Sequence, residues 1–248
     1  MTGPHRLRVP RMIALLTDFG VTDPYVGQVH ARLAHEAPGV RVVDLWHHLP
    51  AFSVQRAAYL LAPYTQHLPE GTVIIAVVDP GVGGERAAIW LEADGRHYVG
   101  PDNGLFELIA RRGHITRCTR LDVPSTASAS FHARDVFAPA AAQLAGGATP
   151  AGPAWSLSRK AAWPDDLAEI LYVDHYGNAI TGLRAQTPLS RLVIRGQALT
   201  PARTFSDRPQ GEPFFYANSN GLWEIAAHCA SAADRLGLQA GDPLEAYA

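Results

Sequence analysis

Apolar positions along this chain follow two rhythms. Between Met12 and Gly147, short β-branched runs alternate with stretches that repeat apolar residues every three or four positions, the pattern of a mostly parallel sheet covered by helices. Met12 to Thr17 and Val40 to Leu45 read as strands. The helix predicted between them has Asp23 near its N-cap, Pro24 near its first position, and Val26, Val29 and Leu33 on one face. A second helix is predicted after Ser53, with Val54, Ala57, Ala58 and Leu61 spaced for burial. Thr72 to Val78 is almost continuously apolar, which suits a central strand covered on both faces. Ala87 to Glu92, Asp94-Gly95 and His97 to Val99 then predict an antiparallel ribbon closed by a tight turn.

The rhythm changes after Ala145. From there to Trp163 the chain is dense in Gly, Ala and Pro and has no period, so it separates two kinds of structure. From Glu169 onward, strands near Leu171, Ile180, Val193, Phe214 and Leu244 are punctuated by turn residues, as in a small antiparallel barrel or sandwich. The expected organisation is a flexible tail over 1–11, an α/β domain over 12–150, a linker over 151–164 and a smaller antiparallel, β-barrel-like domain over 165–248. A chain of 248 residues has room for two such unequal cores.

Composition narrows the partners. With 47% hydrophobic and 18% charged residues the chain is a folding one, and a net charge of -2 supplies no positive field for a nucleic acid or an anionic membrane. A small molecule is the expected partner. Cys118 and Cys229 are too few for a disulfide scaffold or an all-cysteine zinc site, which fits a reducing cytoplasm. The apolar run Met12 to Leu16 is too short for a signal-peptide core or a bilayer span. Lys160 is the sole lysine and sits in a Gly-, Ala- and Pro-rich stretch, so neither a Schiff base nor a P-loop is expected.

Several segments place reactive groups where loops meet strands. Val78-Asp79-Pro80-Gly81-Val82-Gly83-Gly84-Glu85-Arg86 follows the strongest strand, at the end where α/β sheets present loops to ligands. It does not fit a dinucleotide fingerprint, because Arg86 takes the third glycine's place and a strand pattern follows instead of a helix. A plain Gly-rich turn would account for the same residues. Phe131-His132-Ala133-Arg134-Asp135-Val136-Phe137 interrupts apolar positions with charge before a predicted helix. There His132 is either a catalytic group or a satisfied cap, and Arg134 and Asp135 either act or simply pair. Asp18, at the end of the first strand, can accept bonds from vicinal hydroxyls or cap the helix entry. Tyr98 to Gly104, Asp174 to Asn178 and Asn218 to Gly221 read as turns with abundant polar groups. His47, His48, Asp44, Asp79 and His132 make a metal site only on paper, since adjacent histidines on an extended segment face opposite ways. No metal is expected.

Together, TDFG at 17–20, DPYVG at 23–27, VVDPGVGGER at 77–86, VGPDNGLF at 99–106, FHARDVFAPAAA at 131–142, DHYGNAITGL at 174–183 and NSNGLWEIA at 218–226 resemble one family. It is the S-adenosyl-L-methionine (SAM) hydrolase family, also called SAM hydroxide adenosyltransferases. The resemblance runs from about Met12 to Leu244 with the motifs in order. It implies cleavage of SAM to adenosine and L-methionine with no cofactor, and a homotrimer with active sites where one subunit's first domain meets a neighbour's second. By motif match it implies that Asp79, Arg86 and His132 position water and that Asp18 binds the ribose hydroxyls. The same match implies that Phe52 covers the sugar, that Tyr176 and Asn178 meet the adenine, and that Ser219 and Asp174 hold the methionine end. The halogenating relatives, fluorinase and chlorinase, carry a tyrosine where this chain has Asp79, and a carboxylate there repels a halide. The same residues would also suit a metal-dependent hydrolase or a nucleoside-binding protein without catalytic activity.

Overall fold

The computed structural model describes residues 12–248, so the leader expected as a flexible tail lies outside the described residues. The described residues divide into two compact units, one holding 12–61 and 67–159, the other 62–66 and 160–248.

The first unit is built on a six-stranded sheet. In chain order it comprises strand β1 (Met12–Thr17), helix α1 (Tyr25–Glu36), β2 (Arg41–Trp46), α2 (Val54–Thr65, whose last turn groups with the second unit) and β3 (Val73–Val77). The ribbon β4 (Ala88–Ala93) and β5 (Arg96–Pro101) follows, then α3 (Glu107–Arg112), β6 (Ile115–Arg120) and α4 (Ala138–Ala145). The strand order is β2-β1-β3-β5-β4-β6. β1 pairs in parallel with β2 and β3, and β3 with β5, while β4 runs antiparallel to β5 and β6. The ribbon therefore enters the sheet by its second strand. Its turn has Asp94 at φ 47 and Gly95 at φ 72, the paired positive angles of a tight hairpin.

β3 is buried at every position, as its unbroken apolar run requires of a strand with a parallel neighbour on each side. Ile13, Leu15, Ile75 and Val77 pack with Val29 and Leu33 of α1 and the alanines of α4 into one core. α1 opens one residue later than the sequence suggests, with Pro24 as N-cap and no side-chain cap. Residues 151–159, read from sequence as part of the linker, stay with the first unit. Ala154 bridges Thr119, and Trp155 Nε1 and the Ser158 hydroxyl both donate to buried Asp102, at 2.7 and 2.8 Å.

The second unit is antiparallel. β7 (Leu167–Val173), β8 (Ala179–Arg184), β11 (Pro213–Ala217) and β12 (Leu222–Ala227) form one sheet in the order β11-β12-β8-β7. β9 (Arg191–Ile194), β10 (Gln197–Leu199) and β13 (Glu245–Tyr247) form another in the order β10-β9-β13. Among the described residues the two sheets meet at their edges through isolated bridges, Glu169 with Pro243 and Pro201 with Phe215, which gives the unit its barrel-like character. Ile170, Leu192, Ile194, Phe215 and Ile225 fill the core with Ala232 and Ala233 of the short helix α5 (Ala232–Leu236). The alternation of short strands and turns specifies such sheets, while which edges meet depends on strand number and stagger, which no local pattern carries.

Candidate active site

The site forms at the carboxyl edge of the parallel strands. From β1 the chain crosses to β2 on one side and then to β3 on the other, so the β1–β3 crevice is a topological switch point, where open α/β sheets bind ligands. Thr17 lies opposite Val77, so Asp18 and Asp79 emerge side by side. Asp18 N donates to Val77 O at 3.2 Å, and Asn103 Nδ2 donates to Val78 O at 2.9 Å, which secures the backbone before Asp79. The turn around Asn103 is thus a support for the site.

After Asp79 the chain doubles back through successive turns, with Val82 N bonded to Asp79 O and Gly84 N to Gly81 O. Gly83 has φ 76, and a Cβ there would strike the carbonyl oxygen of Ala129, so this turn needs glycine. The reversal lays Arg86 against Asp79. Arg86 Nε donates to Asp79 Oδ1 at 3.0 Å, and Nη2 donates to Oδ2. Both side chains are buried, at 9% and 5% exposure. The same Nη2 lies 2.9 Å from Nδ1 of His132. A guanidinium has no acceptor, so Nδ1 accepts and the neutral ring carries its hydrogen on Nε2. Burial, then the Arg86 charge, holds the His132 pKa below the ordinary imidazole range against the weaker pull of Asp79 and Asp135.

His132 immediately precedes a π-helical turn, Ala133–Phe137, that leads into α4. Such widened turns occur at functional sites, and this one brings Phe137 behind the triad. The Phe137 ring centroid lies 5.6 Å from the Arg86 guanidinium carbon and 6.4 Å from the His132 ring, edge to face with the latter. Arg134 and Asp135 pair with each other through bonds of 2.7 and 2.9 Å, the structural reading the sequence left open.

In front of the triad is a cavity of about 600 Å³, in the size range of ligand pockets, lined by Asp18, Phe52, Asp79 and His132. Phe19, Tyr25 and Phe131 form one aromatic wall, with centroids 5.6 to 6.0 Å apart. Arg134 stacks 5.0 Å from the Phe131 centroid and donates to Gln28 Oε1 at 2.8 Å. The reading of individual residues missed Tyr25 and Gln28 as lining groups. Their signal was the i, i+3 spacing at the start of a helix that leaves the Asp18 loop. A second cavity of about 550 Å³ opens on the Arg86 side, and His132 lines both.

Asp18 Oδ2 accepts from Phe52 N at 3.2 Å. Burial raises the Asp18 pKa, the bonds from the Phe52 and Asp18 amides oppose the rise, and the Asp79 charge adds to it. Phe52 adopts φ 60, unusual for a bulky residue, and is 78% exposed.

The paper metal site is not assembled. Asp79 and His132 join Arg86, whereas His47 is held by Thr17 Oγ1 at 2.8 Å on Nδ1 and lies 3.0 Å from Asp44 on Nε2 without hydrogen-bond alignment. His48 is exposed, on the opposite face. Among the described residues, no group of three His, Cys, Asp or Glu side chains is placed to hold an ion.

The remaining sequence candidates lie on two turns of the second unit. Asp174 Oδ1 accepts from the backbone N–H groups of Tyr176 and Asn178 at 2.9 and 2.8 Å, and Oδ2 accepts from Asn178 Nδ2 at 2.9 Å. This carboxylate shapes a turn that leaves Tyr176 76% exposed and Asn178 buried. Gly177 has φ 82, and a side chain there would strike Ser231. Ser219 is exposed at the corner of the turn from Asn218 to Leu222.

A switch-point crevice, a ligand-sized cavity lined by the carboxylate and imidazole of a triad, and a guanidinium that bonds both from behind define a small-molecule site on an α/β scaffold, in a chain that also carries an antiparallel β unit. Residues 13–152 match the SAM hydroxide adenosyltransferase N-terminal domain and residues 168–245 the C-terminal domain of the same name. The chain belongs to the SAM hydroxide adenosyltransferase family. It is 44% identical to the (R)-S-adenosyl-L-methionine hydrolase of Thermus thermophilus, over 94% of this chain and 98% of that one. It is 27% identical to a fluorinase of Actinoplanes, over 93% and 95%. A crystal structure of an uncharacterized conserved protein from Thermotoga maritima superposes with a TM-score of 0.86 at 27% identity, covering 95% of this chain and all of that one. Among the described residues no helix is long and apolar enough to cross a membrane.

Proposed function

We propose that this protein hydrolyses SAM to adenosine and L-methionine, with water as nucleophile at the 5′ carbon. The triad carries this reading, together with the 44% identity to a SAM hydrolase. The sulfonium makes methionine a neutral leaving group: as the water oxygen bonds to carbon, the carbon–sulfur pair goes to sulfur and no general acid is needed. Holding water in line behind that carbon is the enzyme's main task.

The triad divides this task. Arg86 occupies one side of both Asp79 oxygens and keeps the carboxylate in place, leaving further lone pairs to accept the proton that water loses. His132 is a hydrogen-bond donor through Nε2, because Arg86 occupies Nδ1. It therefore orients the oxygen, and Asp79 takes the proton. Asp18 binds the ribose hydroxyls, Phe52 covers the sugar, Tyr176 and Asn178 meet the adenine, and Ser219 and Asp174 hold the methionine end. The exposed Phe52, Tyr176 and Ser219 suit a homotrimer in which a neighbour's second unit completes each site. Free thiols at Cys118 and Cys229 suit a reducing cytoplasm.

The fluorinase relatives raise halide attack as the second reading. A halide about 4 Å from the Asp79 carboxylate would meet about 4 kcal/mol of repulsion at an effective dielectric of about 20. Incubation with SAM in oxygen-18 water tests the choice. Label in the adenosine 5′ hydroxyl, with equimolar methionine and with chelator present, is the expected result. Unchanged SAM, or a 5′-halogenated nucleoside when halide is added, would overturn it.

A further inference from the structure

Glu224 is a carboxylate on an inner strand of the second unit, only 6% exposed. Its strand partners in register are Ile180 on β8 and Tyr216 on β11, and Ile180 in turn faces Tyr172 on β7, so these side chains share one face of the sheet. An apolar residue would fill such a place at no electrostatic cost, since a buried carboxylate loses several kcal/mol of hydration unless its oxygens are bonded. Burial raises the Glu224 pKa and the Asp174 charge adds to the rise, while its hydrogen bonds oppose it.

Both oxygens are committed. Oε1 accepts from the Tyr216 hydroxyl at 2.7 Å and Oε2 accepts from Asn218 Nδ2 at 3.0 Å. The second bond fixes which way the Asn218 amide faces. Asn218 Oδ1 is then turned to accept from the backbone N–H groups of Asn220 and Leu222, both at 3.0 Å. Asn218 N also donates to Leu222 O and Asn218 O accepts from Gly221 N, so this side chain and its own backbone make four of the turn's bonds, to which Gln66 Nε2 adds one by donating to Asn220 O at 3.0 Å.

We propose that Glu224 is a positioning residue for the amino-acid end of the substrate, acting through the Asn218 amide on the turn that presents Ser219. This rests on the proposed binding of methionine at Ser219. The Asp174 and Glu224 charges also make this face of the unit favourable to a cation, and SAM carries a sulfonium and an ammonium.

The test compares SAM with adenosine, which lacks the amino-acid end. Glu224→Ala should raise the KM and the Kd for SAM about tenfold or more, the scale of one lost charged hydrogen bond. The Kd for adenosine should stay within about twofold, and kcat should fall less than KM rises. Glu224→Gln keeps an acceptor for Asn218 and should restore SAM binding to within about threefold. Asn218→Ala should reproduce Glu224→Ala and serves as the second route if that variant does not fold. Parallel weakening of adenosine, unchanged SAM binding, or failure of the glutamine to rescue would each overturn the proposal. If the unaltered protein yields no adenosine from SAM, the hydrolase reading fails, and the two Kd values still decide the role of Glu224.

Discussion

Removing the guanidinium from the triad is the most informative perturbation. Arg86 makes two bonds to Asp79 and one to His132 and stacks near Phe137, in a place where the paired side chains are 9% and 5% exposed. Water screens little of this interaction. Arg86→Ala leaves a buried carboxylate without its cation, a change that costs about 3–5 kcal/mol. Asp79→Ala in the Arg86→Ala background removes the stranded charge, so the double variant should be more stable than the sum of the single losses implies, by about 2 kcal/mol or more. Activity should behave as one unit. Each single variant loses about a hundredfold to ten-thousandfold in kcat, and the double variant loses scarcely more. Urea unfolding followed by fluorescence gives the stabilities, and chromatography of released adenosine gives the rates. A loss below about 1 kcal/mol for Arg86→Ala, or strictly additive losses, would refute a buried pair that fixes the Asp79 carboxylate.

Three further outcomes follow from the same geometry. The His132 pKa is lowered by burial and by Arg86 from its model-peptide value of 6.5, so its contribution to stability is full above about 6.5 and is lost as pH falls through the folded-state value. The acid limb of the rate profile should therefore lie below the ordinary histidine range and move to higher pH in Arg86→Ala; a limb that stays put denies His132 its place beside the guanidinium. Asp18→Ala should weaken adenosine by about 1.5–3 kcal/mol, the value of hydrogen bonds to a charged group, as read by calorimetry, whereas 2′-deoxyadenosine should lose less. Gly83→Ala forces a side chain into a positive φ and onto the Ala129 carbonyl, so it should cost about 1–3 kcal/mol in thermal unfolding and displace Arg86 enough to depress kcat.

Part of this architecture was legible before any coordinates. The unbroken Thr72–Val78 run announced a central strand covered on both faces, and Asp94-Gly95 announced the hairpin, because a continuous apolar run and a pair of positive φ angles are both local properties. The candidate triad was legible through its family motifs. Its geometry was not: Asp79 and Arg86 meet because turns around Gly83 reverse the chain, and His132 arrives from 46 residues further on. Tyr25 and Gln28 escaped the reading because each also suits an ordinary helix surface.

Residue order alone determined which segments become strands, where the turns fall, and which chemical groups sit at strand ends, since steric and hydrophobic periodicity act over a few neighbours. Tertiary structure decided which of those groups touch. The placing of β1 beside β3 sets two carboxylates side by side, the bond from Arg86 to Nδ1 selects the tautomer of His132, and the strand register seats Glu224 where it can hold Asn218. Contacts of this kind depend on chain crossings and register between distant segments, and these become definite only when the whole core packs.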